Sequence, residues 1–165
     1  MRTKLQNINA DFTCKNCGRY VSASSMISGV VHRNHCSYCL HSRHVDLFKA
    51  GDRLCACKSL MAPVGLTFKR SRDKYASHRG GEVMLVHRCT HCGEIAINRI
   101  AADDDPIKIM ALLNGGRMEN WKIKDLCESQ DIQLLAPDDR DPVISRLFGE
   151  DSVENIEKAF TYQTI

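Results

Sequence analysis

Residues 12–21 read Phe12-Thr13-Cys14-Lys15-Asn16-Cys17-Gly18-Arg19-Tyr20-Val21, and eighteen residues separate Cys17 from Cys36-Ser37-Tyr38-Cys39. Two thiols separated by two residues are aimed at one point by a single tight turn. Four such thiols complete the tetrahedral shell that a divalent zinc ion prefers. Gly18 supplies the positive φ that a turn of this kind often needs. Short strands are expected on either side of the first knuckle, at Phe12–Thr13 and Tyr20–Val21, as in a zinc ribbon. A redox reading of Cys-x-x-Cys requires the pair to open a helix in a βαβ setting, and the flanks lack that pattern.

A second set lies downstream. Cys55-Ala56-Cys57 is followed after 31 residues by Cys89-Thr90-His91-Cys92-Gly93. It predicts a second four-ligand site built from Cys55, Cys57, Cys89 and Cys92. A one-residue spacer suits a tetrahedral ion less well, so the fourth ligand is either Cys55 or His87. An interleaved arrangement, with Cys36 and Cys39 sharing a metal with Cys89 and Cys92, is the alternative wiring. Cys127 stands alone among apolar residues and reads as a core thiol. The expectation is two zinc ions per chain. Each would supply folding free energy to a ribbon too small to build a core of its own.

The chain has 165 residues, enough for one domain or one domain with an appendage. No apolar run is long enough to cross a bilayer, and the segment from Met1 to Phe12 lacks the apolar stretch of a secretory signal. Nine cysteines without an export signal favour metal binding over disulfides, because the cytosol keeps thiols reduced. A cytoplasmic protein is therefore expected. The net charge of +3 conceals a division. Residues 1–102 carry 16 basic and 6 acidic side chains, whereas residues 103–165 carry 7 and 14. All seven histidines also precede Ala102. The reading is a basic double-ribbon domain over 1–102 and an acidic helical extension over 103–165.

Elsewhere in the basic part, Ser22–Gly29 reads as a loop and Val30–His32 as a strand leading into the second knuckle. Val64–Lys69, Val83–His87 and Glu94–Arg99 read as strands, the first two forming a hairpin with a basic arm. In the acidic part, Asp105 caps and Pro106 opens a helix through Leu113. Further helical patterns cover Trp121–Leu135, a turn or two from Asp141-Pro142 to Gly149, and a last helix after Ser152 with Val153, Ile156 and Phe160 on one face. The fold class is a small metal-stabilised α+β protein, with tandem zinc-ribbon hairpins followed by short helices.

The string Arg33-Asn34-His35-Cys36-Ser37-Tyr38-Cys39-Leu40-His41-Ser42-Arg43-His44-Val45-Asp46 resembles the signature of the RNHCP domain family. The likeness takes in Phe12–Gly18, Gly51–Arg53, the stretch from Cys57 to Pro63, Val86–Gly93 and Asn98–Asp104, with Ser37 in place of the family's proline. It implies a small zinc-binding module and no particular activity. Cys55 falls outside the cysteines expected of the family, which raises His87 as a ligand.

Function is read from charge and from the histidines. Lys69, Arg70, Arg72, Lys74 and Arg79, opposed only by Asp73, form a basic arm with Phe68 and Tyr75 available for stacking. Arg33, Arg43 and Arg53 extend the stripe along the first ribbon. The first expectation is thus a non-enzymatic RNA-binding or ribosome-associated protein, with DNA a less favoured partner and no membrane involvement. The alternative is a zinc-braced, metal-dependent nuclease using His32, His35, His41, His44 and Asp46, with Asn98, Arg99 and Asp103–Asp105. In the bland version of that cluster, His44 and Asp46 hydrogen-bond each other and His35 donates to a thiolate sulfur. A third class is a protein-interaction module that uses the helices of 103–165.

Overall fold

The computed structural model describes residues 10–69, 81–114 and 121–149. Two antiparallel sheets form the β part. The smaller pairs β1 (Phe12–Thr13) with β2 (Tyr20–Val21), as expected from the first knuckle. The larger has the order β3-β4-β5-β6, comprising Ser42–Arg43, Leu60–Phe68, Val83–Cys89 and Ile95–Arg99. A one-turn helix α1 (Ser25–Ser28) replaces the expected loop. The expected strand at Val30–His32 is a turn instead. Helices α2 (Pro106–Asn114), α3 (Trp121–Ser129) and α4 (Arg140–Phe148) follow, with a 3-10 turn at Pro137–Asp139 leading into α4. The Asp105 carboxylate accepts the N–H groups of Ile107 and Lys108, so it caps α2 as its sequence position predicts.

A bulge in β4 decides what packs where. Pro63 pairs with His87 and Gly65 with Val86, leaving Val64 as an extra residue. Val64 consequently turns to the same face as Val86, and these two pack with Ile95 and with Ile123 and Cys127 of α3. Leu66, Phe68, Val83 and Leu85 occupy the other face. There they meet Leu40 together with Ile109, Met110 and Leu113 of α2 and Val143 and Ile144 of α4. Leu135 donates its N–H to Leu66 and Thr67 donates its hydroxyl to the Gln133 carbonyl, so the chain after α3 covers the open edge of β4. Cys127 is fully buried, a core thiol as expected.

The break in composition at Ala102/Asp103 is therefore not a break in packing, because the larger core draws on both sides of it. No helix among the described residues is long and apolar enough to cross a membrane. The arm residues Arg70, Arg72, Lys74, Tyr75 and Arg79, and the expected helix after Ser152, lie outside the described residues.

Candidate functional site

Three Cys-led turns share one backbone pattern. The N–H of Cys14 reaches the carbonyl of Arg19 while Gly18 N–H returns to Cys14. Cys36 with His41 and Leu40, and Cys89 with Glu94 and Gly93, repeat both bonds. The residue donating the return bond has φ of 73° at Gly18, 81° at Gly93 and 59° at Leu40. Glycine adopts that conformation freely, whereas leucine does so at a cost of about 1–2 kcal/mol. The Leu40 side chain is nearly fully buried in the larger core, which offsets that strain.

These turns bring two ligand groups together. Cys14, Cys17, Cys36 and Cys39 form one; His44, Cys57, Cys89 and Cys92 form the other, and in each all ligating atoms lie within 4.8 Å of one another. Sulfurs of a zinc tetrathiolate with bonds of 2.3 Å stand about 3.8 Å apart. The separations are 3.5 Å for Cys14–Cys39, 3.6 Å for Cys17–Cys36 and 3.7 Å for Cys57–Cys89, and His44 Nδ1 lies 3.2 Å from Cys92 Sγ. The two groups fit two zinc ions. When bound, each ion supplies a four-point cross-link, the first joining the β1–β2 ribbon to the second knuckle. The other joins the end of β5 to the chain flanking β3 and β4.

Local hydrogen bonds prepare thiolates at both sites. Bonds from Ser59, its side chain foremost, hold the Cys57 thiol down at about 6. Burial raises the Cys17 thiol, but the Arg19 N–H and the neighbouring thiols outweigh it and bring it to about 7. Burial pushes Cys36 up, so that proton leaves only as metal arrives.

The wiring of the first group follows the simpler sequence reading, and the interleaved alternative is ruled out. The second group corrects the expected set. Cys55 is buried outside it, with its N–H on the Val45 carbonyl. His87 does not take its place. Its Nε2 donates to the Leu40 carbonyl at 2.6 Å and its Nδ1 accepts from Asn98 at 2.9 Å. Burial lowers this imidazole to about 3, so it stays neutral. His44 is the fourth ligand instead, and no spacing rule marked it. The weakness of the Cys55–Cys57 spacer, with Cys55 falling outside the family's expected cysteines, was the sequence signal that a histidine was needed.

Several of the histidines and acids named for a nuclease have structural partners among the described residues. Asp104, fully buried, accepts from Arg33 at 3.1 Å and the Ala101 N–H at 2.8 Å, and pairs with His35 Nε2 at 2.8 Å. Asp103 takes the other arm of the Arg33 guanidinium at 2.8 Å through both oxygens. His35 thus faces a carboxylate and not a thiolate, contrary to expectation. Asp46 accepts from the N–H groups of Gly51 and Arg53 and from the Arg53 guanidinium, and so makes no pair with His44. Asn98 is held by His87, and Arg99 pairs with Glu82 at 2.7 Å.

The same geometry corrects the expected basic stripe. The Arg33 side chain has no solvent exposure, so it cannot meet a phosphate. Arg53 is occupied by Asp46 and by the Arg33 carbonyl, and Arg43 is half-buried with its Nε enclosed. Only Lys69, at the root of the arm, is exposed among the described members of the set. Other exposed cations sit beside the ligands in sequence: Lys15 and Arg19 at the first group, Lys58 and Arg88 at the second.

The Arg33–Asp104 contact, a buried clamp, joins the start of the signature string to the end of the stretch that resembles the family. No curated protein and no solved structure matches the chain. The family model of the RNHCP domain matches residues 9–110, a span that holds both ligand groups and the whole clamp, and the chain belongs to that family.

Proposed function

We propose that this zinc-binding module is a non-enzymatic RNA-binding protein of the cytoplasm, with ribosomal RNA among its targets. The observation that carries this reading is the placement of exposed cations next to the metal ligands in the chain. Lys15, Arg19, Lys58 and Arg88 are exposed and pair with no carboxylate among the described residues. Cations held on metal-braced turns reach phosphates with little further loss of backbone freedom, and each phosphate met releases condensed counterions. The basic arm at residues 69–79 adds charge to the same half of the chain. Nine free cysteines, eight of them in the half with the ligands, suit a reducing compartment. The acidic segment 103–165 meets the basic half through Arg33, which favours an internal role for its first residues over a protein-docking one.

Fluorescence anisotropy of the zinc-loaded full chain with a labelled single-stranded RNA, titrated over salt, tests the reading. Affinity should fall steeply as salt rises. Lys58→Glu and Arg88→Glu should each weaken binding and reduce the slope of log affinity against log salt by about one. Binding indifferent to salt, or none at low salt, overturns it.

A further inference from the structure

Resting on the RNA-binding reading, we infer that Tyr38 and Arg19 form a base-stacking platform for single-stranded RNA on the first metal site. The Arg19 guanidinium carbon lies 4.7 Å from the centre of the Tyr38 ring. The two residues come from different knuckles, Tyr38 between Cys36 and Cys39 and Arg19 two residues beyond Cys17, so the four-ligand group holds them in register. Tyr38 keeps 44% of its surface exposed despite the cation beside it. A flat ring and a flat guanidinium, both wet and both on a braced turn, present what an unstacked base seeks: a π surface with positive charge for its phosphate.

Two other exposed rings among the described residues, Tyr20 and Phe48, lack that combination. Tyr20 is 63% exposed, but its hydroxyl is held by the Asp11 carboxylate, which repels a phosphate. Phe48 is 83% exposed on a loop where Asp52 accepts the N–H groups of Leu47, Phe48, Lys49 and Leu54, and no cation is stacked on it. The platform binds bases through their faces, so it prefers single strands and takes little account of sequence.

The test compares wild type, Tyr38→Ala, Tyr38→Phe and Phe48→Ala, each confirmed to hold two zinc equivalents, on labelled oligouridylate and on duplex RNA of the same length. Tyr38→Ala should weaken single-strand binding about tenfold while leaving the salt slope unchanged, because no charge is removed. Tyr38→Phe should stay within about twofold of wild type, and Phe48→Ala should match it. Duplex RNA, whose bases are already stacked, should be bound equally by wild type and Tyr38→Ala. Wild-type affinity in Tyr38→Ala, or an equal loss on duplex, overturns the platform and leaves the RNA-binding reading standing. Failure of the wild-type protein to bind either RNA overturns both.

Discussion

Removing the imidazole of His44 takes the single nitrogen from a group otherwise made of three thiols, and the nearest spare cysteine is in no position to replace it. Cys55 is buried outside the group, and its backbone is tied to Val45. His44→Ala should therefore fall from two zinc equivalents to about one, whereas Cys55→Ser should retain two. Metal analysis by mass spectrometry of the purified variants checks both, and retention of two equivalents by His44→Ala would remove it from the ligand set. Six of the eight ligands were legible because a Cys-x-x-Cys turn is a local object, complete within four residues. Cys57 was legible as one half of a poorly spaced pair. His44 was not, because its place beside Cys92 depends on the partnering of β3 with β4 and of β4 with β5.

At the level of elements, residues 101–105 act as a strap beneath the first ribbon. Ala102 donates its N–H to the Ser28 carbonyl and Asp105 donates its own to Ser37. Between them, Asp104 meets Arg33 and His35. Breaking a buried ion pair leaves a charge without compensation and costs about 3–5 kcal/mol. Asp104→Ala should lower the unfolding free energy of the zinc-loaded protein, read from urea denaturation, by that amount. Asp103→Ala, at a partly exposed carboxylate, should cost about 1 kcal/mol or less. Equal losses in the two variants would place the strap's strength elsewhere. Most of β4, β5 and β6, and α2, were readable from alternation and from the Asp105-Pro106 start. β3 was not, and Val30–His32 reads as a strand but is a turn. The burial of Arg33 was not, since a charge in a sequence does not declare whether water or a carboxylate faces it. The run Asp103-Asp104-Asp105, placed where the basic half ends, was the signal for a partner.

For the whole molecule, the composition division at residue 102 suggests a cut that the core forbids. A chain ending at Ala102 keeps both ligand groups but uncovers Leu66, Phe68, Val83 and Leu85, which α2 and α4 bury. An exposed apolar face of that extent promotes association. The 1–102 fragment should load two zinc ions and yet aggregate, or bind a hydrophobic dye, where the full chain does neither. Size-exclusion chromatography with dye fluorescence checks this, and a monomeric, dye-negative fragment would mean that the ribbons stand alone.

Synthesis runs from the amino end, and this gives the Arg33 clamp a timetable. Asp103 and Asp104 are 70 and 71 positions downstream of their arginine. At 5–20 residues per second, a nascent chain waits about 4–14 s between making the guanidinium and making the carboxylates that neutralise it. During that interval all four thiols of the first site already exist, so zinc can close the ribbon while its cation is still unpaired. The last turn of the lock comes only when the acidic segment emerges.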